Sequence, residues 1–497
     1  MKKGARYSVL MLLLLAISLR LFKLGFHNLW FDEATSVFTT LPGFNLARFI
    51  ADFNPPLYYL LLKLWVHWTG YSEFMLRFPS IVSNIISIFL LYKIGRKYFD
   101  DKVGRLAAFI MAIAPLHLWY SQEVRGYTLY TLLILVMVYF LGLAIEKDHW
   151  RDWLIFTTAS LMAIFVSYIS FVALLATLFF LRKTKDRMFT WLFCTSSTVI
   201  IFILIWGHVF FRRLLDARVN FWASYSSFSS IRIMLDNFNL GYNGNSITYP
   251  LILVLSIVIL LYSFLRKKLS AEQLNLLYFL LFSLTIMFLL STAMPIYIPR
   301  SMLAFSPFYY LFIARGVRNI TLSWMRIFII AVYIIMTCLA LIAYYNDDIA
   351  DQAHHEGVIL KKPVKPISVY LKNHVATDDI IIYTAIDIMF PCWYYLWEHY
   401  PVAYYFSSDH EDNYWKSIIS SNEKLRNHFA SEVIFLHSID DLKGLKFKQA
   451  WVVSSSWERT GSLNSNSIRT LELMDTLYTK ISQKRINGIT ISLYTLK

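Results

Sequence analysis

The sequence predicts an α-helical polytopic membrane protein that ends in a soluble α/β domain. Three observations carry that reading. First, 57% of the 497 residues are hydrophobic and only 16% are charged, whereas a soluble protein carries roughly 25% charged residues. Second, the apolar residues fall in runs of about the ~20 residues that a spanning helix needs. Third, the charge is unevenly distributed. Residues 346–497 hold 16 Lys+Arg against 18 Asp+Glu, which leaves 31 against 14 for the rest of the chain. The net charge of +15 therefore sits in short loops between apolar runs, where it sets topology rather than forming a nucleic-acid surface. The same composition excludes disorder.

Eleven spans are expected, over 7–26, 79–95, 105–121, 127–145, 152–167, 168–181, 189–210, 249–265, 272–293, 299–314 and 323–344. The first run opens M-K-K-G-A-R and has no small-residue cleavage site after it, so it reads as a span and not as a signal peptide. No polar loop separates 152–167 from 168–181, so residue 168 is expected in a tight turn or a broken helix. With the N-terminus in the cytoplasm, the inside segments hold 19 Lys+Arg in about 40 residues and the outside segments 9 in about 100. That contrast supports the orientation. Arg20 and Lys23 run against it, and are expected to snorkel or to serve a site at the outer end of the first span. The odd count puts the tail outside. The domains are then a transmembrane unit, 1–345, and an extracytoplasmic unit, 346–497, in a plasma (inner) membrane protein.

The tail reads as a small layered α/β fold. Alternating or apolar stretches at 378–384, 401–406, 432–436 and 450–455 are expected strands, and 488–495 alternates like an edge strand. Neither a glycine-rich phosphate loop nor a nucleophile elbow occurs in it. Cys194 and Cys338 lie in apolar runs and only Cys392 lies outside them, so no disulfide framework is available.

Chemistry concentrates on the outer side. Asp32 and Glu33, in H-N-L-W-F-D-E, follow the first span directly. In the long first outer loop the pair Pro55-Pro56 stops any preceding helix. Leu57, Leu60, Leu61, Leu64 and Trp65 then recur at helical spacing, which predicts an amphipathic helix in the membrane interface. The connection W-Y-S-Q-E-V-R-G-Y (119–127) places Glu123, Arg125 and Tyr127 at a membrane boundary, and I-P-R-S (298–301) places Arg300 at another. Arginine suits phosphate because its planar fork donates two hydrogen bonds at once, and a lipid-borne phosphate lies at this depth. His67 and His117 read as interfacial residues, since no paired His or Cys spacing supports a metal.

These motifs, with N-P-P-L-Y-Y-L-L-L-K-L-W (54–65) and S-E-F-M-L-R-F-P-S (72–80), resemble the glycosyltransferase family 39-like group. These are membrane glycosyltransferases of the GT-C fold, related to protein O-mannosyltransferases and to lipid A aminoarabinose transferases. The resemblance is strongest over 20–145 and rests on the order of the motifs. It implies a sugar donor on a polyprenyl phosphate, attack by an acceptor hydroxyl at the anomeric carbon, departure of the lipid phosphate, and inversion. It implies Asp32 as general base with Glu33 in support, and a phosphate site for which Arg125, Arg300 and Tyr127 are the candidates. Asp52, Asn54 and Glu123 are candidate substrate contacts. The group often has His before the double proline, where this chain has Asn54. A divalent metal is left open. The expected partners are membrane lipids, the polyprenyl-phosphate sugar and a glycan, lipid or protein acceptor.

Blander readings stand beside these. Asp32 and Glu33 could start an interfacial helix, because acids favour helix N-termini. Arg125 could be a structural partner of Glu123, and Arg300 could snorkel. A lipid-linked-sugar transporter should show repeats or broken helices at the bilayer midplane; neither stands out clearly in the sequence, and the acids cluster at one face. A ligase using a diphosphate carrier would share the fold class.

Overall fold

The computed structural model describes residues 3–40, 54–220, 226–294, 296–348, 364–376, 378–396, 403–406, 433–436, 448–455, 465–486 and 488–496. The chain forms two compact units. One comprises residues 1–24 and 52–359, the other 25–51 and 360–497. The W-F-D-E segment thus belongs to the same compact unit as the C-terminal α/β fold.

The first unit is helical. It contains α1 (Lys3–Leu21), while α2 (Phe31–Thr39) belongs to the second unit. It continues through α3 (Leu57–Thr69), α4 (Glu73–Tyr98), α5 (Asp101–Ile113), α6 (Pro115–Ser121), α7 (Tyr127–Lys147), α8 (Trp150–Val166) and α9 (Ser170–Ala176). Then come α10 (Met188–Asn220), α11 (Phe228–Leu240), α12 (Thr248–Leu265), α13 (Ala271–Leu290), α14 (Ser306–Asn319) and α15 (Ser323–Tyr345). Local sequence sets several of these starts. The Asp100 carboxylate accepts the N–H groups of Lys102 and Val103, both at 2.8 Å, which caps α5. Ser270 and Gln273 cap α13 reciprocally, each side chain at 3.2 Å from the other's backbone N–H.

Among the described residues six helices are long and apolar enough to cross a membrane: α4, α7, α10, α12, α13 and α15. The α5–α6 pair, bent by 60° at Ala114, makes a seventh if counted as one span. Four expected spans, 7–26, 152–167, 168–181 and 299–314, are not among these seven, and two of them differ in shape. The run 168–181 forms only the seven-residue α9 and a 3-10 stretch, Thr177–Leu181. At 1.5–2 Å per residue that covers about 20 Å, short of the ~30 Å hydrocarbon thickness. The run 299–314 begins in turns, and its helix α14 starts only at Ser306. The amphipathic helix is α3, with Leu60, Leu61, Leu64 and Trp68 exposed.

The bend in α5–α6 explains Arg20. Pro115 has no N–H, so the Met111 carbonyl loses its helical donor, and the break also frees that of Ala112. Arg20, fully buried, donates to Ala112 O at 2.8 Å, Met111 O at 3.4 Å and Asn84 Oδ1 at 2.8 Å. It does not snorkel. Instead it satisfies a broken helix from within the core. Lys23 donates to Tyr345 O at 2.9 Å, placing a cation at the C-terminus of α15. His117 is likewise not interfacial: it is fully buried, with Nε2 at 2.7 Å from Ser306 Oγ. Arg20→Leu strips these carbonyls of their charged donor, and hydrogen bonds to charged groups are worth about 1.5–3 kcal/mol each. We expect a clear drop in the thermal midpoint of the purified protein, larger than for Lys23→Leu. Equal midpoints would contradict the clamp.

Helices α4 and α5 meet at two glycines. A Cβ on Gly95 would lie 2.5 Å from Gly104 Cα, and one on Gly104 would lie 2.7 Å from Tyr92 O. Backbone therefore packs directly on backbone, as small residues permit between membrane helices. Gly104→Ala should destabilise by about 1–3 kcal/mol through overpacking. An unchanged unfolding midpoint would show that the helices separate freely.

The second unit contains a six-stranded sheet in the order β3-β2-β1-β4-β6-β5. Its strands are β1 (Ile380–Tyr383), β2 (Ala403–Phe406), β3 (Val433–Leu436), β4 (Gln449–Ser455), β5 (Tyr478–Ile486) and β6 (Ile489–Leu496). β1 to β4 pair in parallel, while β6 runs antiparallel to both β4 and β5. Strands form at all five expected places, but 488–495 is not an edge strand: β6 lies between β4 and β5, and β5, which was not expected, takes the edge. Its helices are α16 (Val364–His374), α17 (Ile386–Leu396) and α18 (Ser465–Leu477). β1 is central and buried on both faces, as its unbroken I-I-I-Y predicts. Ile380 and Ile382 face a core with Ala450, Val452 and Met474. Helix α17 follows β1 directly and packs on β1, β2 and α16. Its Cys392 is fully buried, and burial pushes the thiol up to about 12.

Candidate active site

Two groups of residues carry the expected chemistry, one in each unit. In the membrane unit the turn between α6 and α7, residues 122–126, is fastened from three directions. Gln122 donates to the carbonyls of Arg20 (2.7 Å) and Phe22 (2.9 Å), which the end of α1 leaves open. The Tyr344 hydroxyl on α15 donates to Gln122 Oε1 at 2.5 Å. From α4, Ser80 donates to Glu123 O at 2.7 Å and Arg125 O at 3.3 Å. The turn therefore holds Glu123, Arg125 and Tyr127 in fixed places.

Glu123 is fully buried, and its Oε1 accepts Trp119 Nε1–H at 2.7 Å. Arg125 is buried and donates to the Tyr59 hydroxyl at 3.1 Å. Tyr59 stands on α3 just beyond Asn54-Pro55-Pro56, with Pro56 at the helix N-cap, so the double proline sets where that phenol points. Arg300, also buried, follows Pro299 in the turn before α14. The guanidinium carbons of Arg125 and Arg300 both lie 5.9 Å from the centre of the Tyr127 ring. One aromatic thus seats two arginines by cation–π attraction, and one buried glutamate stands in the same turn. Two arginines favour an anion, and buried they interact with it more strongly than exposed ones would.

Aromatic hydroxyls extend the group. The Tyr120 ring meets Tyr127 edge-on at 4.9 Å, and its hydroxyl lies 2.5 Å from that of Tyr242. Tyr242 follows α11 in a 3-10 turn, Gly241–Asn243, and burial pushes its phenol well above its ordinary range. It stays protonated, and able to donate, at any physiological pH. Tyr59 and Tyr120 stand inside motifs that the sequence singled out, yet their role depends on packing between distant helices. Tyr242, in N-L-G-Y-N, carried no signal.

The second group lies on α2, in the α/β unit. Trp30 is the N-cap, and its N–H donates to Glu33 Oε2 at 3.4 Å. Glu33 is fully buried there. An acid at this position satisfies an open N–H and the positive helix end. Asp32 is only half-buried, on the same face as Thr35 one turn on, and its carbonyl accepts from Thr35 and Ser36 hydroxyls at 3.0 and 2.8 Å. Two adjacent acids are thus differentiated: Glu33 closes the helix start, and Asp32 retains access. Asn54 is half-buried before the double proline. Asp52 lies outside the described residues. Among the described residues no group of three or more His, Cys, Asp or Glu is placed to hold a metal ion.

The helical unit with its α/β tail defines a multi-pass membrane protein with a GT-C-like fold. Residues 54–210 match the family described as dolichyl-phosphate-mannose-protein mannosyltransferase. That segment spans the double proline and the 119–127 motif. Among solved structures, ArnT from Cupriavidus metallidurans in its apo state is similar over 99% of this chain and 98% of its own, at 11% identity and a TM-score of 0.64. The same protein bound to undecaprenyl phosphate gives 98% and 97%, 12% identity and 0.65. The archaeal oligosaccharyltransferase AglB from Archaeoglobus fulgidus, in complex with an inhibitory peptide and a dolichol-phosphate, covers all of this chain and 74% of its own, at 13% identity and 0.51. No curated protein matches the chain significantly.

Proposed function

We propose that the chain transfers a sugar from a polyprenyl-phosphate donor to an acceptor hydroxyl on the extracytoplasmic face of the plasma membrane, with inversion. The acceptor oxygen forms its bond to the anomeric carbon as the bond to the phosphate oxygen breaks. The acceptor proton passes to the Asp32 carboxylate, and the electron pair leaves with the lipid phosphate. Arg125 and Arg300 stabilise that departing charge, with Tyr127 holding both. The observation that carries this reading is the seating of two buried arginines on one tyrosine, in a turn locked by α1, α4 and α15. The lipid phosphates named for the similar ArnT and AglB structures support the donor class. The loop-charge contrast supports a cytoplasmic N-terminus, a transmembrane unit to about residue 345 and an extracytoplasmic tail. A glycan, lipid or protein hydroxyl serves as acceptor. Asn54 and Glu123, with Asp52, remain the candidate substrate contacts.

The 60° break at Ala114 is a feature that a transporter reading expects. Here its freed carbonyls are taken by Arg20, and α6 beyond it delivers Trp119 and Tyr120 to the arginine group. The break serves the site. The deciding experiment incubates purified protein in liposomes with a panel of polyprenyl-phosphate sugars and candidate acceptors. Release of polyprenyl phosphate with one donor is expected. Passage of intact donor across the bilayer, with no release from any donor, would overturn the proposal.

A further inference from the structure

We infer that the α/β unit positions the α2 helix for chemistry, with Phe390, Trp393 and Tyr395 of α17 as positioning residues. This rests on the assignment of Asp32 as base and adds to it a role for the C-terminal half of the chain. The nine-residue α2 cannot hold its own geometry, because isolated helices shorter than ~12 residues are marginal in water. Its neighbours supply that order.

Phe38, at the C-terminal end of α2, stacks on Trp393 with ring centres 4.4 Å apart and planes 20° from parallel. Phe38 and Phe31 both meet Phe390, at 5.0 and 5.8 Å. Phe390 and Trp393 are three residues apart and so share one face of α17. The approach to α2 is fixed too. Leu29 N–H donates to the Tyr395 hydroxyl at 3.0 Å, Lys365 N–H donates to Asn28 Oδ1 at 3.1 Å, and Lys365 Nζ donates to Gly25 O at 2.7 Å. Helix α17 is itself anchored: it springs from the central strand β1, and Cys392 and Leu396 are buried. The attachment therefore runs from the doubly covered strand through α17 to the backbone of Asp32. Aromatic pairs of this kind add stabilisation beyond their buried area. That is enough to select one placement of a short helix.

The test compares Trp393→Ala, Trp393→Phe and Asp32→Asn in the full-length protein, reading kcat, donor KM, affinity for polyprenyl phosphate and thermal midpoint. A base displaced by about 1 Å loses on the order of 10²-fold in rate. Trp393→Ala should therefore lower kcat on that scale while donor KM and polyprenyl-phosphate affinity stay unchanged, and Trp393→Phe should restore most of the rate. If Asp32→Asn is inactive while Trp393→Ala folds and keeps wild-type kcat, the positioning role falls and the base stands. If Asp32→Asn turns over normally, the base assignment falls and this inference with it. Should Trp393→Ala fail to fold, Tyr395→Phe removes only the hydroxyl that accepts from Leu29. A smaller loss confined to kcat is then expected, and unchanged kcat overturns the proposal.

Discussion

Asp32→Asn is expected to abolish sugar transfer while the protein inserts and folds as wild type. The substitution keeps the shape of the side chain and removes its capacity to take a proton. General-base catalysis contributes roughly 10²–10⁴-fold, so at least that much of kcat is lost. Folding should be spared because the Trp30 N–H at the start of α2 is satisfied by Glu33, and Asn keeps the shape of Asp32. The neighbouring acid gives the control. Glu33→Gln keeps an oxygen for Trp30 and should retain most activity and stability. Glu33→Ala opens the cap and costs about 1 kcal/mol. Initial rates of polyprenyl-phosphate release, with thermal midpoints for all three variants, check the set. Undiminished turnover in Asp32→Asn would remove the base assignment. Loss of activity in Glu33→Gln equal to that in Asp32→Asn would show that the two acids act as a pair.

The division of labour between these acids shows where sequence reading stops. That W-F-D-E follows an apolar run and can begin a helix is legible from pattern alone. That Glu33 turns inward to a backbone N–H is not, because the N-cap is Trp30 rather than Ser or Thr and the usual capping signature is missing. The α/β strands were legible because their alternation or apolar runs are local. β5 was not: Lys480, Gln483, Lys484 and Arg485 are exposed on a sheet edge, where charge is normal and hydrophobic alternation is unnecessary. Hydropathy likewise runs unbroken through Pro115, so the bend between α5 and α6 is invisible to it. With the bend hidden, Arg20 looks like a stray charge at a helix end. Apart from Ala16 O in its own helix, its acceptors come from α4 and α5, far along the chain, and only the packed helices reveal them. The attachment of Phe38 to Trp393 is the extreme case, since nothing in either local sequence indicates the other.

The same logic makes the two arginines a sharper test than either alone. Each sits on Tyr127, and Arg125 also donates to Tyr59. If both stabilise the departing phosphate, Arg125→Met and Arg300→Met should each lower kcat/KM by about 10²–10³-fold, the scale of losing one preorganised donor to a developing anion. Lysine at either position restores the charge without the planar fork, so recovery should be partial. Because the two share one aromatic seat, their effects should couple: the double variant should lose less than the product of the single losses. Tyr127→Phe keeps the ring and should be mild, whereas Tyr127→Leu removes the seat and should approach a single arginine loss. A structural role alone gives a different pattern. Thermal midpoints would then fall in parallel with activity, and binding of polyprenyl phosphate to the folded fraction would be unchanged. Wild-type affinity for polyprenyl phosphate in both arginine variants would therefore separate these residues from the phosphate and return them to the packing of the turn.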